Sequence, residues 1–341
     1  MRKAFICGMS GTVLTNKEAS FLTRERPAGV ILFSRNVETP EQLSRLITDA
    51  RSAIGADDIL ILVDQEGGRV QRLAKPHWRT LPAASSFASR IAVSWEITTA
   101  VEAAHTIAQL TAHDLRTVGI NVNCVPCADM PVADAHDIIG ARAYGTTLKT
   151  IVPLAKAVAE AHMDMGVLPV IKHIPGHGRA TVDSHLSLPM VDTRRAELTA
   201  TDFAAFYELR DLPAAMTAHV VYTAIDSAQP ATTSNNVIAE VIRGDIGFDG
   251  LLMSDDLSMK ALQGSLGDRS AAAIAAGCDI ALHCNGDFTE MTEVANAVPI
   301  MNGQTHERFM KCAAITARKP FPLDISAAEQ LLAEHMQSAA A

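Results

Sequence analysis

The chain reads Val167-Leu168-Pro169-Val170-Ile171-Lys172-His173-Ile174-Pro175-Gly176-His177-Gly178, and Asp183-Ser184-His185 follows a few residues later. The beginning of this stretch is almost continuously apolar, which is typical of a buried β-strand. The remainder carries histidines, a lysine and an aspartate among glycines and a proline, and a purely structural strand has no need of them. Reactive side chains on a glycine-containing loop at the carboxyl end of a strand are typical of an active site in an α/β enzyme.

Similar apolar runs recur along the chain, and they are continuous rather than alternating with polar residues. Continuous apolar strands are typical of a parallel sheet that is covered on both faces. The eight runs are residues 4–9, 29–33, 59–63, 120–125, 168–171, 214–217, 251–253 and 279–282.

Amphipathic stretches separate these runs and predict helices. Thr39 is a typical N-cap, and Pro40 stands at the first helical position after it. The alternation predicts an α/β fold, namely a single (β/α)8 barrel of the TIM type, with a doubly wound open sheet as the alternative. Because no linker or change of composition divides the chain, we expect one catalytic barrel domain over residues 1–341. Helices are predicted over residues 42–54, 96–118, 147–165, 196–210, 234–246, 269–276, 287–298, 306–316 and 327–337.

Composition and charge exclude several classes of protein. The 341 residues are 48% hydrophobic and 20% charged, with a net charge of -9, which indicates a soluble globular protein. The negative charge argues against a nucleic-acid or anionic-membrane partner, because both require a basic surface. No apolar run approaches the roughly 20 residues that span a bilayer. Since the short apolar start is not typical of a signal peptide, we expect a cytoplasmic protein.

The six cysteines are scattered through mostly apolar segments, so we expect reduced thiols in the core. Cys124 and Cys127 form a C-x-x-C pair, but no second pair or nearby histidine cluster completes a zinc site. The sequence therefore predicts neither a disulfide framework nor a metal at this pair.

Polar or ionisable residues follow nearly every apolar run. Such groups are costly to bury without partners, and the carboxyl ends of barrel strands share one face. We therefore expect these side chains to converge on a polar ligand, although each alone could be a helix cap or a solvated turn, as we expect for Asn36 and Asp129. The residues are Arg35, Asn36, Asp64, Gln65, Glu66, Arg69, Asp129, Lys172, His173, His219, Asp255, Asp256, His283 and Asn285.

The residue types favour a sugar as the ligand. Neither a G-x-x-x-x-G-K-[ST] loop nor a G-x-G-x-x-G helix start is present, which disfavours a nucleotide. Charged groups that bind in a bidentate manner suit a hydroxyl-rich ligand. Aromatic residues make up only 4% of the chain, which favours a pocket for one terminal sugar over a long cleft.

Six motifs together resemble glycoside hydrolase family 3, and in particular its single-domain bacterial β-N-acetylglucosaminidases of cell-wall recycling, the NagZ type. The resemblance runs from about residue 29 to residue 285, and it departs at Gly8-Met9-Ser10-Gly11, where many relatives carry an acidic residue. The motifs are Gly29-Val30-Ile31-Leu32-Phe33 with Arg35-Asn36, Val63-Asp64-Gln65-Glu66-Gly67-Gly68-Arg69-Val70-Gln71-Arg72, Ile139-Gly140-Ala141-Arg142-Ala143-Tyr144, Lys172-His173-Ile174-Pro175-Gly176-His177-Gly178 with Asp183-Ser184-His185, Met216-Thr217-Ala218-His219, and Ser254-Asp255-Asp256-Leu257-Ser258-Met259.

The resemblance implies a retaining exo-β-N-acetylglucosaminidase that needs no metal or organic cofactor. Asp255 would be the nucleophile, His185 the general acid and then the general base, and Asp183 the residue that orients His185. An imidazole suits this role because it titrates near neutral pH and a neighbouring carboxylate fixes its tautomer. The implied substrate is a small carbohydrate, a muropeptide that bears terminal N-acetylglucosamine on anhydro-N-acetylmuramic acid. The implied substrate-binding residues are Asp64, Arg72, Arg142, Lys172 and His173.

Other interpretations of the same residues stay open. His173, His177, His185 and Asp183 could be the ligands of a metal-dependent hydrolase, although the Pro-Gly step between the first two histidines excludes a shared helical face. The chain could be a catalytically silent sugar-binding barrel, or it could transfer the glycosyl group to phosphate rather than to water. The glycines and proline of the 173–186 loop also lead to the hypothesis that His185 moves when substrate binds.

Overall fold

The computed structural model describes residues 1–184 and 187–339, and His185 therefore lies outside the described residues. Within the described residues the chain forms short β-strands that alternate with helices. The strands are β1 (Lys3–Gly8), β2 (Pro27–Leu32), β3 (Leu60–Val63), β4 (Gln65–Gly67), β5 (Val70–Gln71), β6 (Val122–Asn123), β7 (Leu168–Pro169), β8 (Ile171–Ile174), β9 (Met190–Val191), β10 (Ala214–Thr217), β11 (Val221–Tyr222), β12 (Leu251–Asp256) and β13 (Ile280–His283).

Parallel strands close into a barrel. Neighbouring strands follow the order β7-β6-β3-β2-β1-β13-β12-β10-β8, and each pairing between them is parallel. Only Val170 separates β7 from β8, so the two ends of the sheet are one run of chain and the sheet returns on itself. When β7 and β8 are counted together, the barrel has eight strands at the eight predicted runs. The predicted (β/α)8 barrel is confirmed, and the open sheet considered as its alternative is wrong.

The helices follow the strands along the chain. They are α1 (Asn16–Glu25), α2 (Pro40–Ile54), α3 (Ser85–Val93), α4 (Ile97–Thr117), α5 (Leu148–Asp164), α6 (Arg195–Ala200), α7 (Asp202–Glu208), α8 (Leu266–Ala276), α9 (Phe288–Ala297), α10 (Gly303–Thr316) and α11 (Ile325–Ala339). A π-helix, Val237–Asp245, occupies the segment predicted as a helix over 234–246.

The helix prediction is wrong in three places. Helices α1 and α3 were not predicted, and the helix predicted over 196–210 is broken into α6 and α7. The break lies at Thr201, whose φ of -125° and ψ of -86° are not helical. The other predicted helices are present, with ends that differ by a few residues.

The barrel strands are buried on both faces, which explains their continuous apolar sequences. All residues of β2, β3, β8, β10 and β13 are buried. On the outside, Phe5 of β1 meets Phe21 of α1 edge to face, with ring centroids 6.2 Å apart. All six cysteines are buried and free, as predicted. Among the described residues, no helix has the length and apolar character needed to cross a membrane.

A short hairpin extends the barrel at the carboxyl end of β3. Strands β4 and β5 pair antiparallel directly after β3. The hairpin reverses the chain and brings the guanidinium of Arg72 to 3.3 Å from the carboxylate of Asp64, eight residues earlier. Residues from this hairpin therefore reach the same face of the barrel as the strand ends.

Candidate active site

A cavity of about 360 Å³ lies at the carboxyl ends of the barrel strands. Its volume is in the range of small-molecule sites. Six of the eight predicted site residues line it, and they come from β3, from the β4–β5 hairpin, from the segment after β6, and from β8 and β12. These six are Asp64, Arg72, Arg142, Lys172, His173 and Asp255.

The other two predicted site residues belong to the loop after β8. His185 lies outside the described residues. Asp183 is described, but it is not among the described residues that line the cavity, although its neighbour Ser184 is. The Asp183 carbonyl accepts a hydrogen bond of 3.0 Å from the backbone N–H of Ser187. The roles of Asp183 and His185 stay predictions.

Lys172 is a buried cation held between two carboxylates. Its ammonium lies 2.8 Å from Asp64 Oδ1 and 2.6 Å from Glu66 Oε1, and the lysine is only 2% exposed. Burial lowers the pKa of the Lys172 ammonium, but the two carboxylates outweigh burial and raise it above its usual range. Lys172 is therefore charged at neutral pH. It can donate to a ligand only through an N–H group that does not already donate to Asp64 or Glu66.

Glu66 joins Lys172 to Arg142. Two nitrogens of the Arg142 guanidinium donate to the Glu66 carboxylate at 2.9 and 2.8 Å, a bidentate arrangement that fixes both side chains. Burial raises the pKa of Glu66, but Lys172 and Arg142 outweigh it and lower the pKa to about 2. Glu66 was among the polar residues expected to converge on a ligand, but it was not assigned a role in the site, although it stands two positions after Asp64 in the same motif.

Asp64 is the second ionised carboxylate of this group. Burial raises its pKa, but Lys172 and Arg72 outweigh burial and hold the pKa well below its usual range. The two carboxylates and the three cations Lys172, Arg72 and Arg142 form a connected network of charge-assisted hydrogen bonds in the cavity wall. Such a network offers fixed donors and acceptors to the hydroxyl groups of a sugar.

Asp255 is the second-last residue of β12, and it lines the same cavity. Burial raises the pKa of its carboxyl, but His173, His219 and the backbone N–H of Asp256 outweigh burial and lower it. The Asp256 N–H donates to Asp255 Oδ1 at 2.8 Å. Asp255 is therefore a carboxylate at neutral pH, as a nucleophile must be.

Asp256 has a structural set of contacts. Its carboxylate accepts from the N–H and hydroxyl of Ser258, at 3.0 and 2.6 Å, and from the N–H of Cys284, at 3.1 Å. These contacts fix the turn that follows β12. His219 is fully buried, and its Nε2 bonds to the carbonyl of Asp256 at 2.9 Å, so it supports the end of β12.

The described residues contain one group that has the donor types of a metal site. Potential ligand atoms of Cys127, Asp129 and His173 lie within 4.8 Å of one another. Hydrogen bonds already satisfy these atoms, because the thiol donates to Asp129 at 3.3 Å and His173 Nδ1 lies 2.7 Å from the same oxygen. Burial raises the pKa of the Cys127 thiol well above its usual range, which opposes loss of its proton to a metal. His177 and Asp183, which were considered as metal ligands, do not belong to this group.

The barrel and its cavity define a class of protein. Carboxylates and cations that are paired with one another line a pocket at the carboxyl face of a (β/α)8 barrel, which is the arrangement of a barrel enzyme for a hydroxyl-rich ligand. Residues 8–315 match the family described as the glycosyl hydrolase family 3 N-terminal domain. The chain belongs to this family.

Individual relatives agree with this assignment. The chain is 41% identical to a beta-hexosaminidase of Alkalilimnicola ehrlichii over 282 residues, which covers 82% of the chain and 79% of that protein. It is 33% identical to a beta-hexosaminidase of Haemophilus influenzae over 310 residues, covering 89% and 85%. The crystal structure of native NagZ from Neisseria gonorrhoeae is similar with a TM-score of 0.86, 29% identity and 98% coverage of both chains. The chain is therefore an enzyme, a glycoside hydrolase, and the resemblance noted in the sequence is confirmed.

Proposed function

We propose that this enzyme is a retaining exo-β-N-acetylglucosaminidase that removes terminal N-acetylglucosamine from peptidoglycan fragments. The relatives named beta-hexosaminidase support the activity. NagZ from Neisseria gonorrhoeae was solved in complex with N-trifluoroacetyl-D-glucosamine, which supports the sugar. The observation that carries the proposal is that the ionised Asp255 shares one cavity with the network of Asp64, Lys172 and Glu66.

The proposed reaction takes place in two displacements. The Asp255 carboxylate attacks the anomeric carbon while His185 donates its proton to the glycosidic oxygen, so that the carbon–oxygen bond to the leaving group breaks and a glycosyl ester forms. His185 then accepts a proton from water, whose oxygen attacks the anomeric carbon and releases Asp255. Asp183 orients the imidazole of His185 and stabilises its charged form. Both reacting groups are side chains, so the chemistry needs no cofactor.

We propose that five residues hold the terminal sugar. The charged groups of the cavity present their N–H donors and carboxylate oxygens in fixed positions, which suits the directional hydroxyl groups of a sugar. Arg142 has fewer N–H groups left for the sugar, because two of its guanidinium nitrogens donate to Glu66. The proposed binding residues are Asp64, Arg72, Arg142, Lys172 and His173.

We propose a muropeptide as the natural substrate, with N-acetylglucosamine linked to anhydro-N-acetylmuramic acid, and the cytoplasm as the compartment. The sequence motifs shared with cell-wall-recycling enzymes support this substrate. A cavity of about 360 Å³ suits one sugar ring rather than a long glycan.

Replacement of the nucleophile tests the proposal. Asp255→Ala is expected to lower kcat for a nitrophenyl β-N-acetylglucosaminide by at least about 10³-fold, because the covalent step is lost. Asp49→Ala, which removes an exposed carboxylate on α2, is the matched control and should behave like the parent. A fluorinated N-acetylglucosamine analogue that traps the intermediate should label Asp255. Label on another residue, or full activity of Asp255→Ala, would show that the proposal is wrong.

A further inference from the structure

Asp129 is a fully buried carboxylate whose hydrogen bonds reach the end of β8 and the loop that follows it. Its oxygens accept from the backbone N–H of His173 at 3.2 Å and from the backbone N–H of His177 at 2.6 Å. Oδ2 also lies 2.7 Å from the ring nitrogen Nδ1 of His173. The thiol of Cys127 donates to the same oxygen at 3.3 Å. The carboxylate is 0% exposed, so these contacts replace water entirely.

The charge of Asp129 decides which nitrogen of His173 carries a proton. Burial raises the pKa of Asp129, but His173 and the hydrogen bonds from it outweigh burial and hold the pKa below its usual range. An ionised carboxylate can only accept hydrogen bonds. Nδ1 of His173 must therefore be protonated and donate to Asp129.

His173 contacts Asp129 and also lines the cavity. His173 lines the cavity, whereas Asp129 and Cys127 are not among its described lining residues. The ring thus separates the buried carboxylate from the cavity, with Nδ1 on the inner side. Nε2 is the nitrogen left for a ligand, and in the neutral ring it is an acceptor because the proton is on Nδ1.

We infer that Asp129 is a positioning residue of the enzyme, which fixes the ring orientation and the tautomer of His173 so that Nε2 meets a sugar hydroxyl. This inference rests on the proposed function, since His173 is proposed there to bind the terminal sugar. The sequence favoured a cap or turn role for Asp129, and the backbone bonds to His173 and His177 show that it has a structural role as well. The test must separate the two roles.

Nitrogen NMR of the parent enzyme tests the tautomer without any activity measurement. With ¹⁵N-labelled histidine, the signals of His173 are identified by their loss in His173→Gln. Nδ1 of His173 is expected to be protonated throughout the pH range in which the protein is folded. A neutral ring with its proton on Nε2 would overturn the inference, even if the enzyme cleaves the proposed substrate.

A double-mutant cycle tests whether Asp129 acts through His173. Asp129→Asn should lower kcat/KM by roughly 10- to 100-fold in the parent, which is typical of a residue that orients a functional histidine. In the His173→Gln background the same change should cost less than about threefold, because the group that it positions is gone. Equal losses in both backgrounds would show that Asp129 is only structural and would overturn the inference.

A matched control addresses stability. Asp279 is also a buried carboxylate with several hydrogen bonds, including one of 2.9 Å from Arg243, but it does not line the cavity. Asp279→Asn should lower the melting temperature and keep kcat/KM within about threefold of the parent. If Asp129→Asn does not fold, the NMR measurement on the parent decides the inference alone. If no glycoside is cleaved by the parent, the proposed function fails, whereas the tautomer is still measured.

Discussion

At the scale of single residues, the cavity wall depends on a small group of cations and carboxylates that are paired with one another. Lys172 is almost fully buried, and a buried ammonium is costly unless it is paired. Asp64 and Glu66 both pair with it at hydrogen-bonding distance. Because Glu66 also holds Arg142, the loss of this one carboxylate would leave two buried cations with fewer partners. Glu66 is therefore expected to matter for stability as well as for activity.

The pH dependence of stability tests the ionisation of Glu66. Its pKa is lowered from 4.5 to about 2 in the folded protein. A lowered carboxyl pKa stabilises the folded state above the unfolded value, and this contribution is lost as the pH falls from 4.5 towards 2. Glu66→Gln should therefore be destabilised near neutral pH, and its deficit relative to the parent should shrink by at most about 3 kcal/mol over that interval. Urea unfolding at a series of pH values measures this difference.

The exposed Glu307 of α10 provides the control for this measurement. Glu307→Gln should keep the pH dependence of the parent, because water solvates that carboxylate in both states. If Glu66→Gln and the parent lose stability in parallel from pH 4.5 to 2, Glu66 is not the ionised partner that the network requires.

The sequence predicted which residues meet in the cavity better than it predicted how they meet. Asp64, Lys172 and Asp255 were expected to converge because each follows an apolar run, and carboxyl ends of parallel strands share one face. Glu66 was expected to converge with them but was assigned no role, since its contacts depend on the turn of the β4–β5 hairpin. The contact between Asp129 and His173 joins residues that are 44 positions apart, and only the closed barrel brings them together.

At the scale of secondary structure elements, α1 shows a local signal that was missed. Its buried apolar side chains are only Phe21 and Leu22, so the sequence offers few apolar positions from which to predict it. Its start is nevertheless marked by a capping box, in which Thr15 accepts from the N–H of Glu18 at 3.2 Å while Glu18 accepts from the N–H of Thr15 at 3.0 Å. Capping residues can therefore reveal a short helix when the apolar pattern does not.

The capping box of α1 leads to a prediction about stability. Thr15→Ala should lower the free energy of unfolding by about 1 kcal/mol, because the backbone N–H of Glu18 loses its acceptor and the Glu18 carboxylate loses the donor that the Thr15 hydroxyl provides. Thr48→Ala, at an exposed position within α2, should change stability by less than about 0.5 kcal/mol. Urea unfolding of both variants measures the difference, and kcat/KM should stay at the parent value in both. Equal stability of the two variants would contradict the capping role.

The break between α6 and α7 could not be predicted from hydrophobic periodicity. Apolar positions continue across residues 196–210, which suggested one helix. In the structure Asp202 is buried and its carboxylate lies 2.7 Å from the guanidinium of Arg179, which belongs to the loop after β8. Tertiary pairing thus favours a new helix start at Thr201-Asp202, residue types that are common at helix N-termini.

At the scale of the whole molecule, backbone hydrogen bonds also join two of the segments that follow the barrel strands. The backbone N–H of Ala128 donates to Lys172 at 2.8 Å, the N–H of Val132 donates to Gly178 at 3.2 Å, and the N–H of His136 donates to Ala180 at 2.8 Å. The chain at residues 128–136 is therefore held against the chain at residues 172–180. The loop that follows β8 and leads to Asp183 thus has a fixed base.

Gly178 is a position of close approach between these two loops. A Cβ atom added to Gly178 would overlap the backbone carbonyl of Met130, so any larger residue must push the loops apart. Gly178→Ala should cost about 1–3 kcal/mol of stability, as overpacking does. It should also lower kcat/KM by up to about 10²-fold, because a shift of the loop misplaces the groups that it carries.

Gly11→Ala is the control, since a Cβ added to Gly11 meets no atom within 4 Å. Urea unfolding and steady-state kinetics on a nitrophenyl β-N-acetylglucosaminide compare both variants with the parent. If Gly178→Ala retains the stability and kcat/KM of the parent, the close approach is not needed. The position of the loop after β8 would then be set by the backbone hydrogen bonds between the two segments and by the contacts of Asp129, rather than by the close approach at Gly178.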